Sequence, residues 1–445
     1  MKFNKRKKDI LNGNIPEQIV LLAVPYIGTY LLQQAYQFAD SIVLGKFAGT
    51  AAMAAVGGSA TMIINIILNS IIGISTGTMV LIAQSYGSND IDRVEKTVKT
   101  GMFIAFTFTS LISILCFIFS KPILIWMDVP DETFEYSLIY LRMYLLSLVP
   151  YAIYTTGMYI LRAVGNSNSS IFFTIIISAS KIILDLLLTV VFKLGIWGVS
   201  ISTLVSYLIC AIVVLFILKN SSPIYSYSLK DFGFDTNTLV QTFRIGTPIA
   251  IQSSIFALTS AYMSMKINVH GTNAIAAFSA FNNVDNFYWS FSNAIATSIL
   301  TIVGQNYGNN NLKRVKDTLK NGIKILMGVS IVLGGIVYFA CPYILRIFTN
   351  DAEVIAIASQ MNKMICLTYT AYVLIESISS TIKGCGDSKN SMIISIFGVC
   401  VVRLCYLSIF TFTEPIQVMY CYPISWTISS IIYLIYYLRS PKYKF

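Results

Sequence analysis

A few charged side chains lie inside long apolar segments of this 445-residue sequence. A charge at the centre of a bilayer costs about 2.5–3.5 kcal/mol on insertion scales, so each such residue is a candidate for handling an ion or a charged ligand. The alternative is a structural ion pair, which we expect for Arg142, Lys363 and Arg403, while Arg244 lies near a segment end and can reach the interface. The complete set is Asp40, Asp185, Asp285, Glu376, Arg142, Lys181, Arg244, Lys363 and Arg403.

Asp40 has polar neighbours at helical spacing. Tyr36 and Gln33 lie four and seven residues before it, so in a helix a phenol, an amide and a carboxylate share one face. A face this polar is unsuited to lipid, and we therefore predict that it points into the protein.

Asp185 has a basic neighbour, Lys181, four residues earlier. Side chains at this spacing meet across one turn of a helix. We interpret Lys181 as a tethered counter-cation for Asp40 and Asp185, to which Thr203 adds a hydroxyl. Two carboxylates held close resist joint ionisation whereas an ammonium favours it, so their protonation is expected to depend on conformation. The alternative is a permanent Asp–Lys strut.

The second half of the sequence holds another acid among aromatic residues, Asp285 in NNVDNFYWS. A carboxylate among amides and rings suits an amphipathic cation, because attraction between a cation and a ring face adds about 0.5–2 kcal/mol. An aromatic stripe can equally be packing. The residues predicted to contact a substrate are Gln33, Gln34, Asn282, Asp285, Tyr288, Trp289 and Glu376.

The composition identifies the elements that must position these residues. Hydrophobic residues make up 56% of the chain and charged residues 11%, against about 25% charged in soluble proteins. Long apolar runs without period-two alternation favour helices over a barrel. We predict an all-α membrane protein with about twelve spans, near residues 17–45, 51–83, 100–119, 136–160, 171–192, 198–218, 241–267, 274–303, 322–341, 354–381, 391–413 and 418–438.

The net charge of +11 does not indicate nucleic-acid binding. With the amino terminus inside the cell, most basic residues fall in inner segments, and few fall in outer loops. This asymmetry predicts a multi-pass protein of the cell membrane with both termini cytoplasmic. The basic segment Lys2–Lys8 precedes an apolar run without a small-residue cleavage site, so it is predicted to lead into a retained first helix. The outer basic residues are Lys46, Lys121, Lys193, Lys266 and Arg346.

An internal repeat divides the chain. Residues 80–94 read VLIAQSYGSNDIDRV and residues 301–315 read TIVGQNYGNNNLKRV, so that Arg93 recurs as Arg314, displaced by 221. LRAVGNS at 161–167 recurs at the same displacement as IKGCGDS at 382–388. A displacement of six helices gives two parallel six-helix lobes, a plan typical of transporters that carry substrate between two bundles. We predict lobes at 1–220 and 236–445 and a cytoplasmic linker at 221–235.

The two repeated loops resemble the pattern of the MATE family of multidrug and toxic-compound exporters. The opening AVPYIGTYLLQQAYQFADSIVLGKFAGTAAMAAVG, with its Gly49-Thr50 turn, is also similar to the first two helices of that family. The resemblance implies two six-helix lobes and export of amphipathic, often cationic compounds, driven by inward flow of protons or sodium. It also implies a cation site formed by Asp40, Tyr36, Asp185 and Thr203.

One residue departs from the family pattern. Lys181 stands where the resembling subgroup has an Asn, and an ammonium competes with sodium for the same oxygen atoms. We therefore expect proton coupling rather than sodium coupling, in a protein that works as a monomer and needs no cofactor. A lipid-linked oligosaccharide flippase of the same superfamily is the alternative, although such a protein would line its cavity with several Arg and Lys. An enzyme is not indicated, since the chain has one histidine, His270, in a predicted outer turn, and therefore no HExxH motif.

Overall fold

The structure, a computed structural model, describes residues 9–48, 55–56 and 58–443. The basic segment Lys2–Lys8 and the Gly49-Thr50 turn lie outside this part of the chain. Twelve long helices and no strand occur in the described residues, which confirms the predicted all-α fold. The helices are α1 Ile15–Val43, α2 Ser59–Gly87, α3 Ile91–Trp126, α4 Asp131–Ala163, α5 Ser167–Asp185, α6 Ile196–Lys219, α7 Thr236–Asn268, α8 Thr272–Gly308, α9 Leu312–Leu345, α10 Ala352–Gly384, α11 Ser388–Ile409 and α12 Pro415–Arg439.

Ten of these helices are long and apolar enough to cross a membrane. The other two, α7 and α8, have 33 and 37 residues, and at about 1.5 Å per residue they are long enough to span a bilayer. They contain many Asn, Gln, Ser and Thr residues, among them the NNVDN sequence of α8. These two helices therefore fall outside the ten because of their polar composition and not because they are too short.

Three helices contain a π-helical segment within the described residues. Leu44–Ala48 continues α1, Leu186–Val191 continues α5, and Ile396–Val401 lies inside α11. A π turn holds one extra residue and is frequent at functional sites in helical proteins. The segment after α5 begins directly after Asp185, and the one after α1 begins four residues after Asp40.

The repeated loops have the same backbone conformation. After α2, Asn89 is left-handed with a φ of 59°, and the Asp90 side chain caps α3 by accepting from the Arg93 backbone N–H at 3.1 Å. Asn tolerates this conformation better than most residues, and Asp is a preferred helix cap. The loop after α8 repeats the arrangement with Asn310, Asn311 and Arg314. The shared spacing of the two sequences thus encodes one turn used twice.

The chain forms two compact units that exchange parts of two helices. One unit comprises the chain through Ile27 together with Ser254–Phe445, and the other comprises Gly28–Ser253. The first part of α1 therefore packs with the carboxy-terminal helices, and the first part of α7 packs with the amino-terminal helices. The lobes proposed from the repeat, 1–220 and 236–445, divide the chain between helices, whereas the compact units divide it within α1 and α7.

Small residues bring α2 and α7 into close contact within the Gly28–Ser253 unit. A Cβ added to Gly77 would lie 2.7 Å from the Thr242 carbonyl oxygen and 2.8 Å from the Gly246 nitrogen. Gly73 lies one turn earlier against Ala250. Close backbone approach through small residues is a usual way for helices to associate in lipid.

We expect Gly77→Ala to lower the apparent melting temperature of the detergent-solubilised protein. The added methyl group meets backbone atoms that cannot rotate away, and such overpacking costs about 1–3 kcal/mol. The control is Gly328→Ala in α9, where an added Cβ has no heavy atom within 4 Å and removal of glycine stabilises a helix by about 0.5–1 kcal/mol. Equal melting temperatures for the two variants would contradict the tight contact.

Candidate functional site

A cavity of about 560 Å³ lies within the Gly28–Ser253 unit. Residues of α1, α2, α4, α5 and α6 line it, and its wall combines phenols, amides and hydroxyls with one acid and one base. The predicted polar face of α1 contributes to it, and α5 contributes Lys181. The polar lining is Gln33, Tyr36, Gln37, Asp40, Thr61, Asn65, Asn69, Tyr140, Tyr144, Tyr151, Tyr154, Lys181, Thr203 and Tyr207.

An ion-paired cluster joins α1 to α5 at this cavity. The Lys181 Nζ lies 2.8 Å from Asp40 Oδ1 and 2.8 Å from Asp185 Oδ2. Lys181 and Asp185 are 5% and 1% exposed, whereas the Asp40 side chain is 23% exposed. The structure thus brings together the three charged residues predicted from the sequence and places Asp40 at the accessible side of the cluster. We call these three residues the Asp–Lys–Asp cluster.

The helical spacing and a serine of α6 explain how this cluster is held. Lys181 and Asp185 lie one turn apart on α5, so their pairing needs no tertiary contact. The Ser202 hydroxyl donates to Asp185 Oδ1, and the Lys181 ammonium donates to the Ser202 oxygen at 3.2 Å. Sequence reasoning missed Ser202 and selected the adjacent Thr203. Thr203 lines the cavity but makes no hydrogen bond with the described residues of the cluster; its hydroxyl donates to the Val199 carbonyl of its own helix at 2.9 Å, a carbonyl that also lies 2.8 Å from the Ser202 hydroxyl.

Tyrosines form most of the remaining wall. The hydroxyls of Tyr144 and Tyr207 lie 3.4 Å apart, and the rings of Tyr151 and Tyr207 meet edge to face with centroids 5.0 Å apart. Phenols offer an apolar ring and one polar atom each, so they suit ligands with both ring surfaces and hydrogen-bonding groups. Of the predicted substrate residues, Gln33 lines this cavity, whereas Gln34 is exposed and does not.

Asp285 occupies a different environment in the other compact unit. Its Oδ1 accepts from the Tyr369 hydroxyl at 2.7 Å and its Oδ2 accepts from Trp289 Nε1 at 2.6 Å. Tyr288 stacks on Tyr369 with centroids 3.6 Å apart and is 1% exposed. Asn282 is half-buried on the same helix. In this conformation two neutral donors and an aromatic core hold the carboxylate, which is 6% exposed.

Glu376 and three bases inside the helices, Arg142, Lys363 and Arg403, also have identifiable neighbours. Glu376 lies one turn after Tyr372 on α10, close enough for the carboxylate and the phenol to interact. Arg142 donates to Ser120 Oγ at 3.0 Å, and the Arg403 guanidinium lies 4.3 Å from the ring centroid of Tyr422. Lys363 lies 5.7 Å from the centroid of Tyr338. Among the described residues Arg142, Lys363 and Arg403 make no ion pair within 4 Å, so the expected struts do not form as direct contacts, although Arg403 lies near enough to Asp285 for electrostatic attraction.

A known protein family matches each half of the chain, as the internal repeat predicts. The MatE family model matches residues 25–187 and again residues 248–409. A probable multidrug resistance protein of Bacillus subtilis, YoeA, is 26% identical over 94% of this chain and 92% of its own length. A probable multidrug resistance protein NorM of Thermotoga maritima is 22% identical over 91% of this chain and 88% of its own.

Solved structures show the same fold. An outward-facing multidrug resistance MATE transporter of the MOP superfamily superposes with a TM-score of 0.90 at 19% identity, covering 98% of each chain. A MATE structure in complex with MaL6 gives the same score over 97% of this chain. The family model covers most of the sequence in two copies, and the chain therefore belongs to the MatE family of multidrug transporters.

Proposed function

We propose that this chain is a proton-coupled antiporter that exports amphipathic, often cationic compounds by alternating access. One observation carries the proposal: the Lys181 ammonium lies between the carboxylates of Asp40 and Asp185, within 2.8–2.9 Å of their oxygens. We place the protein in the cell membrane with both termini cytoplasmic, as the distribution of basic residues favours, and expect it to function as a monomer.

The position of Lys181 argues against a sodium site in this unit. A sodium ion at the cluster would need the oxygens that the ammonium already contacts. It would also lie within a few ångströms of a fixed positive charge, and two unit charges 4 Å apart repel by about 4 kcal/mol at an effective dielectric constant of 20. The Ser202 oxygen, a further potential ligand, also contacts Lys181. A proton needs no such ligand shell.

A proton on Asp40 would change how α1 is held. With both carboxylates ionised the cluster has a net charge of −1, and the ion pair between Asp40 and Lys181 links α1 to α5. Protonation of Asp40 removes that ion pair while the Lys181–Asp185 pair remains within α5. A group whose protonation differs between two conformations couples proton binding to the conformational change. Asp40 is the more exposed of the two acids, which makes it the exchangeable site.

The cavity wall supports export of drug-like compounds over transport of pyrophosphate lipids. Lys181 is the one base among the residues that line the cavity, and it is already paired with two acids. A pyrophosphate group would instead require several free cationic donors. Rings of six tyrosines and a net negative cluster suit a cationic, aromatic substrate.

The choice of coupling ion can be tested with imposed gradients in proteoliposomes. We expect efflux of a cationic dye by the unchanged protein to follow an inward proton gradient and to show little response to sodium. Lys181→Asn restores a neutral amide beside the two carboxylates, so we expect it to gain sodium dependence. Efflux by the unchanged protein that responds chiefly to sodium would contradict the proposal.

Asp40→Asn distinguishes a coupling residue from a strut. We expect this variant to fold, because Lys181 keeps Asp185 as its partner, but to lose at least 90% of gradient-driven efflux. The apparent melting temperature and the gel-filtration profile of the purified protein provide the check on folding. Glu17→Gln, the same chemical change at an exposed position of α1, serves as the control and should transport normally. Misfolding of Asp40→Asn, with Glu17→Gln intact, would favour the strut.

Removal of the ammonium should destabilise the protein more than removal of the whole charge cluster. Lys181→Ala leaves two acids without their base, and breaking a buried ion pair in this way costs about 3–5 kcal/mol. Adding Asp40→Asn and Asp185→Asn to the same protein should recover most of the loss in apparent melting temperature. If the triple variant melts below Lys181→Ala, the three charges do not compensate one another as described.

A further inference from the structure

The two repeat arginines each contact the beginning of the first helix of the opposite repeat. Arg314 follows α8, and its Nη2 donates to the backbone carbonyls of Gly13 at 2.8 Å and Ile10 at 3.1 Å, just before α1. Arg93 follows α2, and its Nη2 donates to Gln241 Oε1 at 2.8 Å, in the second turn of α7. Helices α1 and α7 begin 221 residues apart, the displacement of the repeat itself.

The same backbone hydrogen bonds hold Arg93 and Arg314 in place at the start of their helices. Each is the third residue of its helix, with its backbone N–H bound to the capping side chain, Asp90 or Asn311. Its backbone carbonyl accepts from a threonine one turn later, Thr97 at 2.6 Å or Thr318 at 2.7 Å. The backbone N–H and the backbone carbonyl of each arginine are therefore both hydrogen-bonded. The side chain extends from a backbone of fixed conformation.

Asn306 completes the contact made by Arg314. Its side-chain oxygen accepts from Arg314 Nε at 3.1 Å, and its Nδ2 donates to the Ile10 carbonyl at 3.3 Å. Asn306 is fully buried. The first repeat has Ser85 at the equivalent position, which is too short to act in the same way. The contact before α1 is thus the more extensive, and the one at α7 is a single exposed hydrogen bond.

We propose that Arg314 and Arg93 are positioning residues of the transport cycle, Arg314 for α1 and Arg93 for α7. The first turn of a helix and the residues that lead into it fray first. A guanidinium that binds two carbonyls before α1 removes that freedom, and its planar fork makes contacts that an ammonium cannot reproduce. Helix α1 continues to Tyr36 and Asp40 at the cavity. If its first turn is held rigidly, a movement of that end is transmitted along the helix to the cavity instead of being lost in fraying. Both roles rest on the proposed transport activity and are independent of the coupling ion.

Hydrogen–deuterium exchange of the full-length protein tests the crossed pairing. Arg314→Ala should raise exchange of peptides covering residues 9–24 at least tenfold and leave residues 236–250 unchanged. Arg93→Ala should raise exchange at 236–250, by a smaller factor, and leave 9–24 unchanged. Lys313→Ala removes the same charge from the adjacent exposed position and should change neither. A uniform rise in all helices, or an equal effect of Lys313→Ala, would overturn the assignment.

Transport kinetics separate positioning from mere structure. Arg314→Ala should lower the turnover rate at least threefold while the dissociation constant of the substrate stays within twofold, because the cavity does not contain Arg314. Arg314→Lys keeps the charge but cannot reach all three acceptors, so its turnover should fall between those of the unchanged protein and Arg314→Ala. If Arg314→Ala does not fold, the lysine variant alone decides. Increased exchange at residues 9–24 with unchanged turnover would contradict the proposal.

Discussion

The cost of placing charges in a bilayer determines how this protein is built around its cavity. One ammonium and two carboxylates cannot be buried separately without a large penalty, but as a paired cluster they satisfy one another. This requirement joins α1 to α5 through Asp40 and Lys181, and α6 contributes Ser202 as a further donor. The tyrosines around the cluster then form a wall that is polar enough to face a cavity and apolar enough to pack.

The two repeats share the backbone conformation of their loops but differ in the charged side chains that each contains. The left-handed asparagine, the helix cap and the arginine recur with closely similar geometry after α2 and α8. Among the described residues the Asp–Lys–Asp cluster does not recur. One unit pairs acids with a base beside a cavity, whereas Asp285 in the other unit accepts hydrogen bonds from Tyr369 and Trp289 within an aromatic core. Turns depend on local sequence and survive duplication, while a site depends on many distant residues and diverges freely.

The same distinction explains what could be predicted from the sequence. Apolar runs predicted the helices, and the spacing of four residues predicted the Lys181–Asp185 contact. Helix formation and contact across one turn both depend on residues that are close in sequence. The pairing of Asp40 with Lys181, 141 residues apart, could be anticipated only because an isolated buried charge needs a partner. Ser202 and Tyr369 could not be chosen, since adjacent hydroxyls on a helix look alike in sequence and differ only in the face they present. The exchange of the first parts of α1 and α7 between compact units likewise has no local signal.

Two π-helical segments lie next to the Asp–Lys–Asp cluster, on the helices that carry its residues. Leu186–Val191 begins directly after Asp185, and Leu44–Ala48 begins one turn after Asp40. These two segments contact each other, and α6 contacts the one that follows α1. A π turn widens the helix and shifts its hydrogen-bond register, so it can adjust at lower cost than a regular turn. Loss of the Asp40–Lys181 ion pair would therefore act on the two helices at the places where their backbones are most able to change register.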